Sequence, residues 1–178
     1  MMSRLSDFSR GVMLAWLLAL AVVMPGCDRK ADMAAVPLEI DRSTSCELDG
    51  MLLADYPGPK AQIHYVGEDK PTFLCDTVEM FSLLLKPEQV RATQAIYVQD
   101  MGATPWERPV GHWIDAKQAH FVRGSKKHGS MGPTLASFAS ADAAAAFAKE
   151  WGGQVLAFAQ VTPEMVDLSG GALHDGHM

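Results

Sequence analysis

One local plan occurs twice along this chain: strand, turn, strand, helix. In its first occurrence the β-forming residues Ile63, Tyr65 and Phe73 flank a turn at Gly67-Glu68-Asp69-Lys70. A helix then starts at Asp76-Thr77-Val78-Glu79, where Asp76 can cap and Glu79 stands three residues on, the spacing of a capping box. Val78, Phe81, Leu84 and Leu85 recur at helical spacing and are expected to face a core, while Met80 reads as packing. Pro87 ends that run, and Ala95-Ile96-Tyr97-Val98 reads as a further strand. In the second occurrence, 119–122 is a strand, 124–132 a long polar loop bearing glycines, and 135–138 the returning strand. Ser140 caps a helix that Gly152-Gly153 stops, with Ala143, Phe147 and Trp151 on one face, and 155–161 is a final strand. Pro71-Thr72-Phe73 and Pro133-Thr134-Leu135 stand at equivalent points before the two helices. The expected fold is α+β: an internal duplication of ββα units, with helices packed on small antiparallel sheets.

The two ends of the chain read differently. Arg4 and Arg10 precede an apolar run over 12–23, too short for a membrane span, which needs roughly 20 residues. Gly26-Cys27 closes that run in the manner of a bacterial lipoprotein signal, with cleavage before Cys27 and a lipid on its thiol. An ordinary signal peptide cleaved elsewhere, or an uncleaved anchor, is the alternative. Residues 27–44 are expected to be a flexible tether and 45–168 the folded domain. The glycine-rich tail at 169–178, with His174, His177 and Met178, is expected to be disordered, though those side chains could collect a metal ion. The localisation expected is therefore periplasmic, on a lipid anchor, with the choice of membrane left open. The whole chain carries a net charge of −6; residues 1–26 hold Arg4, Arg10 and Asp7, so the remainder carries −7. An acidic exported domain is a poor nucleic-acid binder, because phosphate contacts need Lys and Arg.

Sulfur chemistry is concentrated in loops. Cys46 and Met51 stand five residues apart, just before the stiff corner Pro57-Gly58-Pro59. A thiol and a thioether so placed suit a soft ion, Cu(I) above all. Met51 also reads as the start of an apolar patch with Leu52 and Leu53, since methionine is a common core filler. Met131 lies between Ser130 and Gly132, where no apolar neighbour makes it part of a core run, and His128 stands three residues earlier. With Met51 and Met131 in loops of different halves, a site between the halves is geometrically natural. Thiolate, thioether and imidazole together favour Cu(I) over Zn²⁺ or Mg²⁺. If Cys27 is lipidated, Cys46 and Cys75 remain; outside the cytoplasm they could instead form a disulfide, which would remove both as ligands. Enzyme signatures are weak: no GxSxG, HExxH or glycine-rich nucleotide loop occurs, and His64 and His120 fall in strands where a structural role is the default.

Several ordered stretches resemble one family. They are 49–63 (DGMLLADYPGPKAQI), Ile96-Tyr97-Val98-Gln99-Asp100-Met101, Trp113-Ile114-Asp115-Ala116 and Gly129-Ser130-Met131-Gly132. Together, over roughly 46–161, they resemble NosL, the accessory lipoprotein of nitrous oxide reductase. The resemblance implies a periplasmic copper chaperone for the catalytic copper–sulfide centre, with nitrous oxide reductase and its accessory assembly proteins as partners. It implies a fold similar to the organomercurial lyase MerB, with repeated ββα units. It maps the methionine of the first motif to Met51 and that of the glycine-flanked loop to Met131; Cys46 and His128 are added as candidate ligands by their own chemistry. Cys46 stands further from the first methionine than the cysteine of many members, and Cys75 matches no family ligand and reads as a structural thiol. Two other functions compete. A MerB-like enzyme would cleave a carbon–metal bond with Cys46 and Cys75 as nucleophiles. A metal-free lipoprotein scaffold would simply hold the reductase.

Overall fold

Ala61 to Tyr65 form β1, which is buried along its whole length because both faces of its sheet are covered. Ile63 and Tyr65 point into the core, while Gln62 and His64 face the other way. On that second side the Gln62 amide accepts from the Leu38 N–H at 2.9 Å and donates to the Leu38 carbonyl at 3.0 Å. Tyr97 Oη donates to the Ala35 carbonyl at 2.6 Å. Residues 35–40, within the stretch expected to be tether, therefore lie along the sheet. This is a computed structural model, and it describes residues 35–168; Cys27, the signal segment and the tail at 169–178 lie outside them.

After β1 come β2 (Thr72–Leu74), α1 (Thr77–Leu84), β3 (Thr93–Gln99) and β4 (Trp113–Asp115). They are followed by β5 (His120–Gly129), β6 (Gly132–Phe138), α2 (Ala141–Trp151) and β7 (Gln154–Ala157). Short 3₁₀ turns occupy Leu53–Asp55, Phe158–Gln160 and Pro163–Met165. The strands form two antiparallel sheets, ordered β2-β1-β3-β4 and β6-β5-β7. Among the described residues, small antiparallel sheets with two helices make the α+β fold the sequence led us to expect.

Both helices start where expected. The Asp76 carboxylate accepts from the Val78 N–H at 2.9 Å, and Ser140 Oγ from the Ala143 N–H at 3.2 Å. Glu79 does not complete a box on Asp76; it turns back to the Cys75 N–H. Met80 and Phe81 plug α1 into the core, where Phe81 meets Phe121 and Phe158 at centroid distances of 4.9 and 5.0 Å. A second, smaller cluster beneath α2 gathers Val122, Ala136, Phe138 and Ala144.

Two expectations are corrected. The polar loop at 124–132 is mostly strand: β5 continues to Gly129, pairing His128 with Pro133 and Gly129 with Gly132. Only Ser130 and Met131 make the turn. A register irregularity between Arg123 and His128, with Gly124 at φ +78°, lets this stretch pair through its backbone without any apolar alternation to announce it. The last strand ends at Ala157 rather than 161, because Phe158 rolls inward onto Phe81 and Phe121 instead of continuing the alternation.

Candidate metal centre

The loop after Ser45 closes on itself before it meets anything else. The Cys46 N–H donates to the Met51 carbonyl at 2.8 Å and the Gly50 N–H to the Cys46 carbonyl at 2.9 Å. The Asp49 carboxylate accepts from the Met51 N–H at 2.9 Å. Gly50 supplies the left-handed φ of +75° that this turn requires. The Glu47 N–H then donates to the Phe73 carbonyl at 2.9 Å, stitching the loop to β2. Because β2 runs directly into α1, that stitch brings Cys46 beside Cys75 and the first turn of the helix.

Four donors converge there. Ligand atoms of Cys46, Asp49, Cys75 and Glu79 all lie within 4.8 Å of one another. Glu79 Oε2 is 3.3 Å from Cys46 Sγ, 3.2 Å from Cys75 Sγ and 3.1 Å from the Cys75 N–H. Asp49 Oδ2 stands 4.0 Å from Cys75 Sγ. Both thiols are free and buried, so the disulfide alternative is not what the structure contains. The Cys46 thiol is held below its ordinary pKa, chiefly by a hydrogen bond from Cys75, against the opposing effect of burial. The same bond, and then burial, pushes the Cys75 thiol up. Cys46 is thus the first to become thiolate.

The second half of the fold closes over this cluster. Ser130 Oγ, in the β5–β6 turn, donates to the Cys75 carbonyl at 2.7 Å and lies 3.2 Å from Cys75 Sγ. Two glycines allow that approach. A Cβ on Gly129 would overlap the Asp76 carboxylate, and one on Gly58 would come within 2.7 Å of Gly129 Cα. The Pro57-Gly58-Pro59 corner therefore bears on the hairpin, and the hairpin bears on the start of α1. Asp76 is fully buried, accepts from Thr134 Oγ1 at 2.7 Å, and is pushed up to about 6, mainly by burial. Lys60, only 1% exposed, donates to the Pro57 carbonyl at 2.7 Å and is lowered to about 8 by burial, with Asp76, Cys75, Glu79 and Cys46 opposing the shift.

Of the residues expected at a site, Cys46 stands within the convergent set. Met51 closes the same loop through its carbonyl, with its side chain half-buried. Met131 sits next to Ser130 at the hairpin tip, 58% exposed, and lines a cleft of about 530 Å³ that also reaches Glu79. His128 is exposed on β5, its carbonyl accepting from Trp106 Nε1 at 2.9 Å, and it is not among the converging donors. Asp49, Cys75 and Glu79 were not expected as donors. Their signal was the Cys75-x-x-x-Glu79 spacing across a helix start, which places the carboxylate one turn above the thiol. It read instead as a capping box. The donor set, two thiols and two carboxylates with two methionines on the bordering loops, suits a metal ion that accepts sulfur.

The fold and this cluster define a small α+β domain with a candidate sulfur-and-carboxylate metal centre where its two sheets meet. The sequence profile of the NosL family matches residues 37–166, and the chain belongs to that family. It is 36% identical over 180 residues to the copper-binding lipoprotein NosL of Stutzerimonas stutzeri, covering 98% of this chain and 93% of that protein. It is 39% identical over 161 residues to the copper-binding lipoprotein NosL of Achromobacter cycloclastes, covering 88% and 82%. The crystal structure of the copper chaperone NosL from Shewanella denitrificans superposes with a TM-score of 0.69 at 37% identity, covering 74% of this chain and 98% of that one.

Proposed function

We propose that this protein is a lipoprotein copper chaperone, anchored through Cys27 outside the cytoplasm, that binds Cu(I) and delivers it for assembly of the catalytic centre of nitrous oxide reductase. The observation that carries this reading is the convergence of two free thiols with Asp49 and Glu79 beneath the loops that bear Met51 and Met131. Family membership and the names of the relatives support copper as the cargo. The sulfur donors support the cuprous state, which favours thiolate and thioether. Cys46, Met51 and Met131 are the ligands proposed, with Cys75 joining them and His128 as a further candidate that would have to turn inward from β5. Release needs only ligand exchange: copper stays Cu(I), and a partner site better by ~1.4 kcal/mol takes tenfold more of it. We also read the fold as a duplicated, MerB-like ββα arrangement. Its support is that each sheet is ordered with the first hairpin strand in the middle, its hairpin partner on one side and the strand after the helix on the other.

The test is a strain lacking this protein, grown with limiting copper. It is expected to make reductase polypeptide deficient in its catalytic centre, restored by the wild-type gene and not by the Met51→Ala/Met131→Ala variant. A fully active reductase in the deletion strain contradicts the delivery role. The cleavage reading keeps one observation in its favour: the two free thiols have the Asp49 carboxylate 4.0 Å from Cys75 Sγ. There a thiol would give its proton to the carboxylate as its sulfur bonds to the metal of an organometal, and the carboxylic acid would pass that proton to the carbon as the carbon–metal bond breaks. Hydrocarbon release from phenylmercury by the purified protein would favour it; none is expected. A metal-free scaffold would restore the deletion strain equally well with both methionines replaced.

A further inference from the structure

The cleft that Met131 lines holds a second methionine from a distant part of the chain. Met165 closes the 3₁₀ turn Pro163–Met165 and lines the same space of about 530 Å³, together with Glu79, Arg123 and Leu135. Its backbone is fixed: the Met165 N–H donates to the Thr162 carbonyl at 3.0 Å, and buried Val166 follows it. Glu79 contacts both thiols of the cluster, so the cleft ends against the metal centre. Arg123, Asp167 and Glu79 also line it, so the cleft mixes charges of both signs with apolar walls.

We propose that Met165 joins Met131 in a transient thioether site for Cu(I) on the way between solvent and the thiol cluster, where Met131 stays a ligand and Met165 lets go. This rests on the copper-binding reading above. A thioether binds Cu(I) through a sulfur lone pair, without losing a proton and without bringing a charge, so such a site passes the ion on rather than retaining it. Met165 also packs against the core, a task that leucine performs equally well. Met165→Leu therefore keeps the packing and removes the sulfur.

The experiment uses the expressed protein with ¹³C-labelled methionine methyl groups, assigned by Met131→Leu and Met165→Leu, under reducing conditions. On addition of Cu(I), or of Ag(I) as a soft stand-in without redox chemistry, the Met131 and Met165 methyl resonances are both expected to shift. They are expected to do so in Cys46→Ser as well. Met165→Leu is expected to slow transfer of Cu(I) to an external chelator by ~5-fold or more while leaving the affinity within ~2-fold. A Met165 methyl that stays still in protein that demonstrably binds Cu(I) overturns this proposal and leaves the chaperone reading standing, as does an unchanged transfer rate in Met165→Leu. Failure of Cu(I) and Ag(I) to bind anywhere overturns both.

Discussion

Lys60 looks in the sequence like an ordinary solvated lysine after a proline, yet it is 1% exposed and donates to the Pro57 carbonyl. Burial lowers its pKa to about 8 from an ordinary 10.5. Between those two values the unfolded chain holds a proton that the folded chain has lost, so this residue makes stability rise with pH across that window. The stability of the wild type minus that of Lys60→Met, from urea unfolding, should therefore increase by up to about 3 kcal/mol from pH 8 to 10.5. A flat difference would show that Lys60 titrates normally. The same limit on legibility applies to the donors. Cys46 drew attention because a methionine followed it on a loop. Cys75 and Glu79 did not, because a cysteine at a strand end and a glutamate in a first helical turn have commonplace uses. What joins them is the pairing of Glu47 with Phe73 across 26 residues, and no local pattern encodes that contact. Replacing Glu79 by Gln leaves one oxygen to accept but removes a buried charge beside both thiols. It is expected to weaken Cu(I) binding by ~10-fold, read by competition with a chromogenic chelator.

At the scale of elements, the hairpin β5–β6 and the Pro57-Gly58-Pro59 corner do the positioning. Both helices were readable because their caps and apolar spacing are local signals. The outer half of β5 was not, because Gly-Ser-Lys-Lys-His-Gly lacks the β-forming alternation that marks a strand. It pairs through its backbone and owes its place to Gly129, which lies against Asp76 where no side chain fits. Gly129→Ala is therefore expected to cost about 3 kcal/mol or to push the hairpin off the helix start. In the folded fraction the Ser130 hydroxyl would leave Cys75, and Cu(I) binding would weaken with it. Gly67→Ala has open space around its Cβ and lies in the β1–β2 turn. It should cost about 1–2 kcal/mol for its positive φ and leave binding unchanged. Equal effects from the two substitutions would remove the hairpin from the account.

For the whole molecule, the family resemblance and the α+β plan were both open to sequence reading, since they rest on ordered motifs and on repeated strand and helix signals. The cluster was legible in part: Cys46 was singled out as a donor, while Cys75 and the two carboxylates were not. Attachment belongs to this scale too. Fatty-acid labelling of the expressed protein is expected to depend on Cys27, and labelling that persists in Cys27→Ser would end the lipoprotein reading. The most direct test of the central claim is anaerobic Cu(I) titration of the reduced protein against a competing chelator, comparing the wild type with Cys46→Ser and with Met51→Ala/Met131→Ala. One high-affinity Cu(I) is expected in the wild type, with sulfur ligation in its absorption spectrum. Each variant is expected to stay folded by circular dichroism while binding at least ~10-fold more weakly, a loss of ~1.4 kcal/mol or more. Wild-type affinity in both folded variants would contradict the account and place the copper elsewhere on the chain.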